Sequence, residues 1–171
     1  MVQPAAKAKL IFKIIKAAPG VRYRELLRST GLVNGMLSYQ LRKLEKKKLV
    51  KAKRLSSTMT RYYPATVKTK ESDILDYILP ITKRKIILYL FEHDKCTFNE
   101  IPDYVKKAPS TTSSHLKDLK DAGIIFVSRG NIQLKNKMRI ARVLSKYKKD
   151  YSENSILGKL LFCVKNIIQQ S

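Results

Sequence analysis

The sequence predicts a mainly α fold with small β-hairpins (α+β): two tandem domains of one design, followed by C-terminal helices. Three observations carry this. The 171 residues are 44% hydrophobic, enough for one mid-sized core or two small ones. A gapless shift of 75 positions lays the chain on itself over more than forty residues. In each copy, three segments with apolar residues at helical spacing precede a strand–turn–strand pattern. The expected boundaries are 1–66 for the first domain, 67–81 for a linker with a short helix, 82–135 for the second domain and 136–171 for the C-terminal helices.

The shift brings Ile11 onto Ile86, Ile15 onto Leu90, Tyr23 onto Phe98 and Glu25 onto Glu100. It also brings Ser38 onto Ser113, Leu41 onto Leu116, Leu44 onto Leu119 and Val50 onto Ile125. In the first copy, Leu10, Ile11, Ile14, Ile15 and Ala18 form one helical face and Lys9, Lys13 and Lys16 the other. Pro19-Gly20 ends that helix. A short helix follows from Arg24 to Ser29, with Gly31 placed to end it in the left-handed conformation. Asn34 is expected to cap a third helix whose inward stripe is Leu37, Leu41 and Leu44. Leu49 to Leu55 and Thr60 to Tyr63, joined across Ser56-Ser57-Thr58, read as a hairpin. In the second copy Ile124 to Ser128 and Ile132 to Leu134 form a shorter hairpin through Arg129-Gly130-Asn131.

Beyond the second copy, residues 136–150 place Ile140, Val143, Leu144 and Tyr147 on one face of a basic helix. Leu157, Leu161, Val164 and Ile168 then recur at alternating spacings of four and three, an apolar seam that either folds back on the chain's own second domain or pairs with another subunit. Leu75, Ile78 and Leu79 are candidates to join that interface.

The 36 lysines and arginines outnumber 13 acids, for a net charge of +23, which points to a polyanionic partner. No run approaches the ~18 apolar residues of a spanning helix, and Lys13 and Lys16 interrupt the N-terminal apolar stretch as no signal peptide would. A cytoplasmic, nucleoid-associated location is expected. The two cysteines, Cys96 and Cys163, are too few for a disulfide scaffold. With two histidines and no CxxC pair, zinc has almost no ligands, and neither metal nor cofactor is expected. His93, His115 and Cys96 read as structural or surface residues.

Three helices and a hairpin with a basic third helix make the winged helix-turn-helix arrangement. The two-fold binding common among helix-turn-helix proteins favours pairing of the C-terminal seam with another subunit, and a homodimer is expected. The stretch Gly31-Leu32-Val33-Asn34-Gly35-Met36-Leu37-Ser38-Tyr39-Gln40-Leu41-Arg42-Lys43-Leu44-Glu45, with Leu49-Val50 and Arg61-Tyr62-Tyr63-Pro64 after it, resembles the recognition helix and wing of ArsR- and MarR-like transcription regulators, archaeal ones in particular. The resemblance covers about a third of the chain directly and extends in weaker form over Thr82 to Leu134. In the second copy Lys106 replaces Gly31, and Pro109-Ser110-Thr111-Thr112 replaces Asn34-Gly35-Met36-Leu37. The metal-sensing cysteines of ArsR repressors are absent, so their inducer does not carry over and the effector stays unassigned.

Charge divides the copies. Residues 1–70 hold 18 basic and 2 acidic residues; residues 71–135 hold 10 and 9. The first domain is therefore the expected reader of double-stranded DNA, and the second an accessory or assembly module. On the third helix Met36, Ser38, Tyr39, Arg42, Lys43 and Lys46 are expected to face outward. The hydroxyls of Ser38 and Tyr39 suit base edges or phosphates, Arg42 suits guanine, and Lys43 and Lys46 suit phosphates. Gly35, beside Asn34, lets the helix start approach the DNA backbone. Lys53, Arg54 and Arg61 flank the wing turn, which in the resembling family reaches the minor groove or adjacent phosphates. The bland alternative is that Lys46-Lys47-Lys48 merely complements a helix dipole.

The function expected is a DNA-binding transcription regulator. The rivals are an architectural nucleoid protein with little sequence choice, a replication initiator, and a protein-interaction scaffold. No nucleophile–base pair, phosphate loop or carboxylate dyad points to an enzyme.

Overall fold

The computed structural model describes residues 4–147, with side chains from residue 6 onward. The chain divides into two units, Met1–Ser72 and Asp73–Ser171. The first unit runs α1 (Pro4–Ala17), β1 (Val21–Arg22), α2 (Tyr23–Thr30), α3 (Asn34–Lys46), β2 (Val50–Arg54) and β3 (Thr60–Pro64). Next comes α4 (Thr69–Ile78), which spans the division, and then α5 (Ile81–Glu92), α6 (Glu100–Val105), α7 (Pro109–Asp121), β4 (Ile125–Ser128), β5 (Asn131–Leu134) and α8 (Lys137–Lys146). Mainly helical units with small antiparallel hairpins make the α+β winged helix-turn-helix architecture expected from the sequence. The offset of 75 carries the limits of α3 onto those of α7.

The core of the first unit gathers Ile11 and Ile15 of α1, Leu26 of α2, Leu37, Leu41 and Leu44 of α3, and Val21, Val50 and Tyr62 of the sheet. These are the stripes the helical spacing predicts. Leu10, by contrast, is exposed, because at 100° per residue it stands about 140° from Ile15, beyond the edge of the core-facing arc. A short strand not expected from the sequence, β1, pairs antiparallel with β3, giving the order β1-β3-β2. β3 is therefore a central strand rather than one arm of a free hairpin. In register, Arg61 lies between Arg22 on one side and Lys53 on the other.

α3 begins one residue earlier than a cap at Asn34 requires. Val33 is the extended N-cap residue, the Leu37 N–H donates to its carbonyl at 3.1 Å, and Asn34 is already helical. The helix ends in a left-handed turn at Lys48 (φ 54°), where the Leu49 N–H donates to Leu44 O at 3.1 Å and the Lys48 N–H to Glu45 O at 2.8 Å. Glu25 accepts from the Arg22 N–H at 2.8 Å at the start of α2, as Glu100 does from the Thr97 N–H at 2.5 Å before α6.

In the second unit, β4 and β5 pair with Ser128 opposite Asn131, so Arg129-Gly130 is a two-residue turn with both φ positive, 49° and 77°. Cys96 bridges to Ile132, where Val21 pairs with Tyr62 in the first unit. The apolar face expected on α8 is buried through Ile140, Val143, Leu144 and Tyr147, and Asn136 caps the helix by accepting from the Arg139 N–H at 2.9 Å. Leu75 and Ile78 are also buried within the chain, which removes them as exposed candidates for a subunit interface. Leu157, Leu161, Val164 and Ile168 lie outside the described residues.

Candidate nucleic-acid interface

At 100° per residue, the side of α3 opposite Leu37, Leu41 and Leu44 carries Gly35, Tyr39, Arg42 and Lys46, with Lys43 at its margin. All five are exposed, Tyr39 at 58%. The Lys43 ammonium lies 5.8 Å from the Tyr39 ring centroid, a cation–π distance. Around Gly35 nothing comes within 4 Å of where a Cβ would stand, so no neighbouring group crowds this side of the first turn of α3.

The remaining candidates on α3 are placed differently. Ser38 and Met36 are half-buried on the flanks. The Tyr23 hydroxyl donates to the Asn34 carbonyl at 3.0 Å, and Ser38 Oγ lies 2.9 Å from the same phenol oxygen. The Ser38 hydroxyl is thus engaged with α2 rather than extended to bases. Met36 Sδ accepts from Gln40 Nε2 at 3.9 Å. Gln40 itself is fully buried, and its Oε1 meets no donor.

Tyr23 is the residue that the sequence reading missed. It ties α2 to the first turn of α3 and so sets the pose of the outward stripe. The available signal was its alignment with Phe98, which lacks the hydroxyl.

On the wing, Arg54 is exposed and Lys53 half-buried. Arg61 is not part of this surface: it is 3% exposed, and Nη1 donates to Gly20 O at 2.7 Å. The cause is β1, which covers the edge of β3 that a two-stranded reading leaves open. Lys51 is likewise turned inward, its ammonium donating to the Val67 carbonyl. Arg24 and Arg28 of α2, not singled out from the sequence, are exposed cations one turn apart. Burial chiefly, and then the charge of Glu45, raises the Tyr62 pKa, so this phenol stays neutral against the core.

The corresponding stripe of α7 is Ser110, Ser114, Lys117 and Asp121, with Asp118 in the place of Lys43. Asp118 pairs with Lys83 at 2.7 Å. One cation and two carboxylates make a surface far less suited to phosphates than α3. Burial pushes the Cys96 thiol up to about 11, leaving it protonated at neutral pH. Among the described residues, no three of His, Cys, Asp and Glu gather as a metal site, and no helix is long and apolar enough to cross a membrane.

No curated protein matches the chain. A family model does, and it falls on the second unit rather than on Gly31 to Pro64, the stretch that carries the more direct resemblance. Residues 82–126, from α5 into β4, are similar to the family described as bacterial regulatory protein, arsR family.

Proposed function

We propose that this protein is a DNA-binding transcription regulator whose first unit lays α3 in the major groove and sets its wing on the backbone. The observation that carries the reading is the outward stripe of α3: four exposed residues, two of them cationic, over an uncrowded helix start. The arsR-family similarity of residues 82–126 supports a regulator. In this reading Arg42 and Tyr39 contact base edges, Lys43 and Lys46 meet phosphates, and Arg54 anchors the wing. The second unit serves assembly, and the apolar spacing of Leu157, Leu161, Val164 and Ile168 supports a homodimer on paired half-sites. No catalysis, cofactor or membrane attachment is part of the proposal.

The test compares a selected site with random duplex DNA. Arg42→Ala and Tyr39→Ala are expected to weaken the selected site by about 1–3 kcal/mol more than random DNA, whereas Arg54→Ala weakens both alike. Equal losses for all three variants would instead favour an architectural protein, the rival that the +23 charge supports.

A further inference from the structure

The first unit has a second cationic face that the α3 reading does not use. On α1, Lys9, Lys13 and Lys16 are exposed at i, i+4 and i+7, while Ile11 and Ile15 are buried. At 100° per residue the three lysines fall within about 60° of one another, on the side of the helix away from the core. The Lys16 ammonium lies 5.7 Å from the Phe12 ring centroid. α1 and α3 pack against each other over one shared core, and the cationic face of each is turned away from that core, so the two are different surfaces of the unit.

Within the first unit, no carboxylate shares α1 with this stripe. The three acids of Met1–Ser72 are Glu25, Glu45 and Glu71, none of them on α1. Glu25 and Glu71 accept backbone N–H groups at helix starts, from Arg22 at 2.8 Å and Lys68 at 3.3 Å. Glu45 stands on α3, near enough to Tyr62 to raise its pKa. Like charges at i, i+4 repel and weaken a helix, and a polyanion lying along the face relieves that repulsion while releasing its own counterions.

We infer that the outer face of α1 takes a second DNA duplex, so that a single copy bridges two DNA segments. This rests on the reading of α3 as a duplex contact, and the two are separable by experiment. In the test, a bead-bound duplex captures a fluorescent duplex through the full-length protein, and affinity for one duplex is measured in parallel by fluorescence anisotropy. The wild-type chain is expected to capture the second duplex. Lys9→Gln, Lys13→Gln and Lys16→Gln combined should cut capture at least tenfold and change single-duplex affinity less than threefold; glutamine keeps the helix propensity of lysine, and circular dichroism checks the fold. A dimer that bridges through its two α3 faces would capture equally well with the triple variant, and that result overturns the inference. So does a wild-type protein that binds one duplex tightly and captures no second. Failure to bind even one duplex at low salt would sink the α3 reading and, with it, the inference.

Discussion

Arg61 holds its guanidinium inside the first unit, with Nη1 donating to Gly20 O at 2.7 Å. Truncating it leaves that carbonyl without its charged donor and opens space on the central strand. Arg61→Ala is expected to destabilise the protein by about 2–3 kcal/mol, read as a lower denaturation midpoint, with DNA affinity of the folded protein unchanged. Loss of affinity at unchanged stability would return Arg61 to the interface. His115, at the position of Gln40 in the other unit, has its pKa lowered first by burial and then by the Lys83 and Lys107 charges, with Asp118 acting the other way. The unfolded chain therefore takes up this proton before the folded one does. The stability linked to His115 is complete above the ordinary histidine pKa of 6.5 and declines as pH falls through 6.5 toward the depressed folded value. Thermal melts between pH 7.5 and 5 should show this decline in the wild type and a flatter profile in His115→Gln. Identical slopes would mean that another group carries the proton uptake.

At the level of elements, the corners after α2 and α3, and likewise those after α6 and α7, are left-handed, and each pair gives glycine to only one of its two corners. Gly31 (φ 63°) closes α2, while Lys106 (φ 53°) closes α6; Lys48 (φ 54°) follows α3, while Gly123 (φ 66°) follows α7. A side chain at such a corner costs about 1 kcal/mol relative to glycine. Lys48→Gly and Lys106→Gly are each expected to raise stability by about that amount in urea titrations, and a loss in either would show that the lysine side chain contributes contacts worth more than the backbone strain. The helices and their inward stripes were legible in the sequence because period 3.6 and left-handed glycine are local signals. β1 was not legible: a two-residue strand has no periodicity, and only pairing with β3 creates it. That pairing is also why Arg61, although on a wing strand, is turned inward and not to the DNA-facing surface.

Over the whole molecule the charge is uneven, and the two units predict different salt responses. If about 6 phosphates are neutralised, log affinity should fall against log salt with a slope near −5. Lys46→Gln on α3 is expected to reduce that slope by about 1, while Lys117→Gln on α7, flanked by Asp118 and Asp121, should leave it unchanged. The reverse result would move the main DNA contact to the second unit, the part that carries the arsR-family similarity.

By itself the sequence determined the fold class, the 75-residue correspondence, the inward stripes of α1, α3 and α8, and the surplus of cations in the first 70 residues. Each follows from spacing and composition, which a linear chain displays in full. The tertiary structure decided which cations remain at the surface. Arg61 and Lys51 donate inward to carbonyls brought near only by folding, Ser38 meets Tyr23 across two helices, and Tyr39, Arg42 and Lys46 are left outward. The physical reason is that a lysine or arginine has no fixed side of its own: its long stem follows whichever acceptor or solvent the packed neighbours leave within reach.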